Sequence, residues 1–184
     1  MDEAWDTERL ALRRFTAADE DAVLALHSDP AVMAYLTGGR PASRQAVRER
    51  TLPEFLAYPA SVLGVWAVAA RGGGFLGWVS LRPTPGGDPE LGYRFHRAAW
   101  GAGYATEAAR ALVDRAFAET GTERVWATTM AVNTPSRRVL ERVGLRHVRT
   151  YHEHFADPIP GTEHGEVEYA VARSEWLARS RRTG

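Results

Sequence analysis

The sequence predicts an α+β fold, in which helices flank a mixed, mainly antiparallel sheet of about seven strands. One observation is the stretch 62–82, where two apolar segments flank RGGG as in an antiparallel hairpin. Another is PTPGGDP, which turns the chain from that hairpin into a further strand without an intervening helix. A third is the helical spacing of apolar residues from Tyr104 to Glu119, between two stretches of strand character. Together they indicate strands that pair in sequence order, with helices packed on the sheet.

The first third of the chain is predicted to contain one strand and a group of helices. Alternation in RLALRRF predicts a strand over residues 9–15, and Thr16 then caps a helix. A short helix begins near Pro30, and Ser43 begins another that Pro53 kinks or interrupts. We therefore expect a helical insertion between the first strand and the hairpin.

Strands and helices alternate in the rest of the chain. The strands are predicted over residues 62–70, 75–82, 90–95, 124–130, 145–155 and 166–172. One helix covers Tyr104 to Glu119, and another begins with Thr134 as its cap and Pro135 in its first turn, and ends at Gly144. We expect a single domain over residues 1–184, with 173–184 as a short C-terminal tail.

The composition excludes several classes of protein. The 184 residues carry 23 basic and 23 acidic side chains, so no net field attracts nucleic acid or an anionic membrane. Lysine is absent, which excludes a Schiff-base lysine and a Walker A loop, and the absence of cysteine excludes a thiol nucleophile and disulfides. No apolar run approaches the roughly 18 residues of a membrane span, and the acidic start MDEAWDTERL lacks a signal-peptide pattern. We expect a cytoplasmic protein without a nucleic-acid or membrane partner.

The stretch WGAGYA, residues 100–105, lies where a predicted strand passes into a helix. The first N–H groups of a helix have no partner within it, and the helix dipole makes this end positive, so it attracts phosphate. Glycine and alanine leave the backbone accessible, so the turn can hold a pyrophosphate without a cationic side chain. Two alternatives are open: a tight turn whose glycines serve only packing, and a dinucleotide site, because GAGYAT nearly fits G-x-G-x-x-G. Thr106 at the third glycine position disfavours the dinucleotide site.

Three stretches carry a family resemblance: ELGYRF at 90–95, WGAGYATEA at 100–108 and AVNTPSRRVLERVGL at 131–145. In this order and spacing they are similar to the GNAT superfamily of acetyl-CoA-dependent N-acetyltransferases, over roughly residues 9–172. The similarity is greatest to the branch that contains the acetyltransferases of ribosomal-protein N-termini. Gly103 and Ala105 match the end of the family signature, and Trp100 replaces its first Gln or Arg, as is usual in that branch. The resemblance implies a sheet that is splayed in its middle.

The resemblance also implies how acetyl-CoA is held. The backbone of residues 101–106 would hold the pyrophosphate, and the splayed strands at about 90–96 and 124–130 would admit the pantetheine arm. Asn133 matches the family's asparagine near the pantetheine, with an ordinary helix-entry residue as the alternative. The implied cofactor-binding residues are Phe95, His96, Trp100, Gly101, Ala102, Gly103, Tyr104, Ala105, Thr106 and Asn133.

Direct attack of an amine on the thioester is the predicted reaction, because a chain without cysteine forms no acetyl-thioester enzyme. Ser136 matches a serine proposed in this branch to protonate the departing thiolate; the alternative is a plain first-turn residue. Glu90 is the first candidate for the general base, acting directly or through water; the alternative is that Glu90 is only a solvated carboxylate at a strand end. Glu153 is the second candidate base. A backbone N–H near Phe95 or His96 would meet the oxyanion.

Other features leave the function partly open. Leu140 stands where many relatives carry a tyrosine as general acid, so a catalytically weak module that binds or senses acyl-CoA is the alternative function. Alternation places His152 and His154 on one strand face, with His164 across the next turn; we weigh zinc against a polar acceptor pocket and expect no metal. A cationic acceptor is indicated by late acidic residues: Asp157, Glu163, Glu166 and Glu168. The acceptor, a protein or peptide N-terminus or a small amine, and a homodimer through edge strands stay open.

Overall fold

The computed structural model describes residues 4–58 and 61–180 and places eight strands in one sheet. The strands are β1 (Trp5–Asp6), β2 (Leu10–Arg14), β3 (Gly64–Ala70), β4 (Phe75–Arg82), β5 (Glu90–Phe95), β6 (Arg124–Met130), β7 (Arg146–Tyr151) and β8 (Glu166–Ala172). Their order is β1-β2-β3-β4-β5-β6-β8-β7, and all neighbours are antiparallel except β5 and β6. The predicted α+β class is confirmed. The count of about seven is one short, because Trp5 and Asp6 add a two-residue strand that pairs with β2.

Most of the helices lie where the sequence predicts them. They are α1 (Glu20–His27), α2 (Pro30–Thr37), α3 (Arg44–Ala46), α4 (Leu52–Leu56), α5 (Tyr104–Glu119), α6 (Thr134–Val143) and α7 (Arg173–Ser180). Ser43 caps α3 as predicted, since its Oγ accepts from the N–H of Ala46 at 3.1 Å. Pro53 does not break the helical segment: a π turn over Val47–Thr51 joins α3 to α4, and this wider turn accommodates the missing N–H of the proline. Among the described residues, no helix is long and apolar enough to cross a bilayer.

Apolar side chains cover both faces of the sheet, because successive strand residues point to opposite sides. On β3, Val65 packs in a cluster with residues of α1, the π turn and α4, whereas Trp66 packs in the cluster that contains the buried face of α5. Both side chains are fully buried. The sheet therefore separates a face under α5 and α6 from a face under the N-terminal helices.

The strands β5 and β6 diverge almost from their first contact. They run parallel, and their single register pair is Glu90 with Trp126. The N–H of Trp126 donates to the carbonyl of Pro89 at 3.3 Å, beside this pair. Beyond it the two strands share no ladder within the described residues, which confirms the splay that the family resemblance implies.

The strand predicted over residues 145–155 ends earlier, at Tyr151. It is the edge strand of the sheet, and its only neighbour, β8, begins opposite Tyr151 at Glu166. Without a partner strand beyond that pair, His152, Glu153 and His154 lie in irregular chain. The predicted alternation of these three residues is therefore wrong.

The segment predicted as a C-terminal tail is helical over Arg173–Ser180, whereas residues 181–184 lie outside the described part of the chain. Its anchor is Trp176, which is 7% exposed. The indole ring lies 5.8 Å from the ring of Phe117, between centroids, and its Nε1 donates to Oδ1 of Asp114 at 2.5 Å. Helix α7 is thus packed on α5.

Replacing Trp176 with alanine should lower the free energy of unfolding by about 3–5 kcal/mol, the usual cost of truncating a buried aromatic side chain. Urea unfolding followed by circular dichroism measures the change. Leu177→Ala is the matched control, because the neighbouring Leu177 is 44% exposed and should cost less than about 1 kcal/mol. Equal effects of the two substitutions would show that α7 is not packed as described.

Candidate functional site

The turn between β5 and α5 is built on two glycines with positive φ, 76° at Gly101 and 82° at Gly103. Glycine adopts this left-handed region without the penalty that a Cβ brings. Gly103 is the N-cap of α5, and no described side chain caps this end, so the N–H groups of the first turn have no side-chain acceptor. Ala102, Ala105 and Thr106 add only small side chains. The turn therefore presents open backbone donors suited to an anion.

Arg9 braces this turn from the chain just before β2. Its Nη1 donates to the carbonyl of Ala102 at 2.9 Å, and its guanidinium carbon lies 4.9 Å from the ring centroid of Tyr104. A Cβ built on Gly103 would lie 3.4 Å from Nη2 of Arg9. The sequence predicts a turn that holds a pyrophosphate without a cationic side chain; the structure places Arg9, remote in sequence, beside that turn, but in an ion pair with Glu107.

Glu107, in the first turn of α5, holds Arg9 in place. Its carboxylate accepts from Nε of Arg9 at 2.6 Å, from the backbone N–H of Arg9 at 2.9 Å and from Oγ1 of Thr7 at 2.6 Å. Partial burial raises the pKa of Glu107, but the hydrogen bonds from Thr7 and Arg9 outweigh it, and the net pKa is below the ordinary value. Glu107 thus remains charged and fixes Arg9 beside the turn.

Trp100 ties the turn to the end of β5. Its indole Nε1 donates to the carbonyl of Phe95 at 2.8 Å, while the side chain is 51% exposed. The residue that departs from the family's Gln or Arg therefore has a positioning role in the fold. Because it is half exposed, it also offers an aromatic surface at the mouth of the splay.

The backbone of β5 turns alternate N–H groups toward the splay. The N–H of His96 donates to the carbonyl of Leu76 on the β4 side at 2.9 Å, so it is not available to an oxyanion. The prediction for His96 is corrected in this respect. Alternation along the ladder turns the N–H groups of Tyr93 and Phe95 the other way, toward β6. Of the two residues predicted to stabilise the oxyanion, Phe95 remains a candidate, and the N–H of Tyr93 is a further candidate.

Asn133 caps α6, a role that the sequence assigned to Thr134. Its Oδ1 accepts from the N–H of Ser136 at 3.3 Å, and its Nδ2 donates to Oγ1 of Thr129 at 3.1 Å. The amide spans the end of β6 and the start of α6 at the splay. The helix-entry alternative for Asn133 is thus observed, and its predicted contact with pantetheine stays a prediction.

Tyr93 lies against Ser136 across the splay. Its hydroxyl donates to the carbonyl of Ser136 at 2.9 Å and lies 3.0 Å from Oγ of the same residue. Burial raises the pKa of Tyr93, although the bond to Ser136 opposes the shift, so the phenol stays protonated. Leu140, at the position where many relatives carry a tyrosine as general acid, is buried in the core. No local pattern in the sequence indicates this contact, because Tyr93 and Ser136 are brought together only across the splay.

Glu90 begins β5 at the point where the strands part. Its Oε1 accepts from Oγ1 of Thr128 at 3.3 Å, and the side chain is half-buried. Glu153 is exposed beyond the end of β7. The partial burial of Glu166 and the nearby charge of Glu153 together raise the pKa of Glu166. The structure brings Glu90 to the splay and leaves Glu153 in a loop.

His152, His154 and His164 are all exposed and lie in irregular chain or a short 3₁₀ turn. No group of three metal-binding side chains forms among residues 4–58 and 61–180. The zinc alternative therefore has no cluster in the described part of the chain.

Two of the acidic residues that indicated a cationic acceptor are neutralised by arginines. Asp157 pairs with Arg40 at 2.7 Å. Glu168 is buried and accepts from Arg124 at 2.7 Å and from Arg149 at 2.8 Å. Their charges are compensated within the fold, so they do not support a cationic acceptor.

Residues 9–146 match the acetyltransferase (GNAT) domain family. Among curated proteins, the FsC-acetyl coenzyme A-N(2)-transacetylase of Aspergillus fumigatus is 36% identical over 181 residues, which cover 93% of this chain and 77% of that protein.

Solved structures are similar over nearly the whole chain. An acetyltransferase (GNAT family) from Bacillus anthracis is 28% identical with a TM-score of 0.75, covering 94% of this chain and 99% of its own. A RimL ribosomal L7/L12 alpha-N-protein acetyltransferase in complex with coenzyme A reaches a TM-score of 0.78 at 16% identity, covering 92% and 98% of the two chains. At that identity the likeness concerns the fold alone.

Replacing Gly103 with alanine should weaken coenzyme A binding by about tenfold or more, because backbone shifts at φ 82° would misplace donors to a charged phosphate. Isothermal titration calorimetry measures the affinity. Gly72→Ala is the control: Gly72 has φ 70° in open space at a hairpin tip, so it carries similar strain away from the turn. Unchanged coenzyme A affinity in the Gly103 variant would contradict the assignment of this turn.

Proposed function

The chain belongs to the GNAT acetyltransferase family, and on that premise we propose that it acetylates a primary amine by direct attack of the amine on the thioester of acetyl-CoA. The observation that carries the proposal is the divergence of β5 and β6 beside a glycine turn with open N–H donors. The name of the Aspergillus fumigatus relative, an N(2)-transacetylase, supports an amine acceptor. The acceptor is either a small amine or a peptide N-terminus.

The coenzyme would be held by backbone more than by side chains. The N–H groups around Gly101 and Gly103 would bind the pyrophosphate, with Arg9, which is paired with Glu107, beside the turn. In the splay, unpaired backbone groups of β5 are suited to the amides of the pantetheine arm. Asn133 and Trp100 lie at the two sides of this opening, one at the start of α6 and one at the end of β5.

The transfer requires one bond to form and one to break. The nitrogen of the amine attacks the thioester carbon, the carbonyl oxygen takes negative charge, and the N–H of Tyr93 or Phe95 stabilises it. The C–S bond then breaks, and coenzyme A leaves as a thiolate. Glu90 takes the proton that the amine loses, directly or through water. Because an α-amino group has a pKa near ~7.7–8.0, a carboxylate is a sufficient base.

The thiolate needs a proton, and Ser136 with Tyr93 is suited to supply it. The Tyr93 hydroxyl lies 3.0 Å from Oγ of Ser136, and its raised pKa keeps the phenol protonated. The proton that passes from Ser136 to sulfur is replaced from solvent, and Tyr93 positions Ser136 through its hydrogen bond to the Ser136 carbonyl. This pair fills the role of the tyrosine that Leu140 replaces, and it argues against a module that only senses acyl-CoA.

Replacing Glu90 with glutamine should lower kcat by about a hundredfold at pH 7 and leave the affinity for coenzyme A unchanged, as expected for a general base. Thiol release from acetyl-CoA with a panel of amines measures the rate. Glu119→Gln is the control, since Glu119 pairs with Arg115 at the far end of α5. A parallel Glu153→Gln variant ranks the two candidate bases, and a larger loss there would displace Glu90.

Ser136→Ala and Tyr93→Phe should each reduce kcat, and the double variant should lose no more than the stronger single one, because the two hydroxyls act as one unit. Single-turnover acetylation measures the effect. Thr134→Ala, in the same first turn and exposed, is the matched control. Additive losses in the double variant would contradict the positioning of Ser136 by Tyr93.

A further inference from the structure

A cavity of about 700 Å³ lies on the sheet face opposite α5, between β4, β5 and the helical residues 27–55. That volume is typical of sites for small organic ligands. Four arginines and a single carboxylate line it: Arg40, Arg50, Arg82, Arg94 and Glu54. Arg40 is paired with Asp157 and Arg82 with Glu54, so the net positive charge of the lining comes from Arg50 and Arg94.

Arg94, on β5, is the central charge of this cavity, and its side chain is partly buried. Its Nη1 contacts Nε2 of His27 at 2.8 Å, and its Nε is buried without a hydrogen-bond partner in the described structure. Within residues 4–58 and 61–180 no ion pair joins it to a carboxylate. Burial, with the charge of Arg82 nearby, lowers the pKa of Arg94 to about 10, so the group stays charged at neutral pH. A partly buried charge in this state is costly unless an anion meets it.

His27 orients Arg94 but does not neutralise it. Arginine and tryptophan side chains only donate, so Nε2 of His27 accepts both from Nη1 of Arg94 at 2.8 Å and from Nε1 of Trp78 at 3.2 Å. The imidazole is therefore neutral, with its proton on Nδ1. Burial and the charges of Arg94 and Arg82 lower the pKa of His27 to about 3, in agreement with this arrangement.

A second guanidinium adds to the positive field. The guanidinium carbons of Arg82 and Arg94 lie 5.1 Å and 5.3 Å from the ring centroid of Trp78. Arg82 is partly compensated, since its Nε donates to Oε1 of Glu54 at 3.0 Å. Stacking on one indole stabilises each cation only modestly, and two like charges on one ring oppose each other. An additional anion would offset both the desolvation of Arg94 and the repulsion between the two guanidinium groups.

Glu90 does not line the cavity, but it lies beside Arg82, which does. Arg82 is the ladder partner of Glu90, and residues in such pairs have Cβ atoms about 4.5–5.5 Å apart. Glu90 and Arg94 point to the same sheet face, four residues or about 13 Å apart along β5. Gly92 lies between them, where a Cβ would be 3.3 Å from Nη1 of Arg82. One molecule can therefore contact Glu90 and the arginines together.

We propose that the amine acceptor carries a carboxylate, bound by Arg94 and Arg82 in this cavity while its amino group lies beside Glu90. A planar carboxylate matches the fork of a guanidinium, and the span of roughly 5–13 Å suits an amino acid or a short peptide with a free C-terminus. The inference rests on the proposed acetyltransfer, and it names the acceptor class for that site.

The test compares alanine, dialanine and trialanine, each as the free carboxylate and as the C-terminal amide. Acetylation kinetics are measured at saturating acetyl-CoA, together with calorimetric binding of each acceptor to the enzyme with coenzyme A. The wild-type protein should prefer the carboxylate of the best-fitting length by about tenfold or more in kcat/KM, as a charge-assisted bidentate contact provides. In Arg94→Gln the KM for that carboxylate should rise by a similar factor, with the amide unaffected.

Two further variants separate recognition from folding. Glu54→Gln frees Arg82 and should lower the KM of the carboxylate acceptors. Arg71→Gln removes one exposed charge at the β3–β4 hairpin and should change neither acceptor class. Because Arg94 has no carboxylate partner among the described residues, Arg94→Gln breaks no ion pair and should unfold at nearly the same urea concentration as the wild type.

The outcomes distinguish the inference from the function beneath it. Acetylation of carboxylates and amides with equal efficiency, or a preference that survives in Arg94→Gln, overturns the carboxylate site and leaves acetyltransfer standing. Absence of acetyl-CoA turnover with every amine contradicts the proposed function; the calorimetric comparison then decides the carboxylate site alone, and equal binding of acid and amide overturns it.

Discussion

The structure depends on one interruption of hydrogen bonding, the divergence of β5 from β6 after the pair Glu90 and Trp126. Elsewhere the ladders of the sheet are continuous or shifted by a single bulge. At the splay the unpaired N–H and C=O groups require partners, because unsatisfied backbone groups in a buried environment are costly. In the function proposed above, the amide groups of the pantetheine arm would pair with them, so the gap in the sheet would be the binding site.

The two faces of the sheet give the splay two different chemistries. On the α5 side, the glycine turn and Arg9 form an end suited to phosphate. On the other side, Arg94 and the neutral His27 line a cavity beside Glu90. The splay connects the faces, so a donor and an acceptor can meet within the sheet without competing for one surface.

Much of the fold was predictable from local pattern. The hairpin around RGGG, the helix from Tyr104 and the turn of Gly101 and Gly103 are set by residues near one another in sequence, and they were confirmed. The errors concern chain ends and strand ends. Residues 152–154 are not in a strand because β8 has no residues that pair with them. The C-terminal segment is a helix, and Trp176 packs it on α5.

By itself the sequence determined the order of elements, the helix start with open donors and the absence of lysine and cysteine chemistry, because these follow from residue type and short-range spacing. Only the tertiary structure decided that Arg9 contacts Ala102, that Tyr93 contacts Ser136 and that Arg94 pairs with His27 instead of a carboxylate in the described chain. Each of these contacts joins residues from different elements. Their distances depend on strand register and packing, which no local pattern encodes.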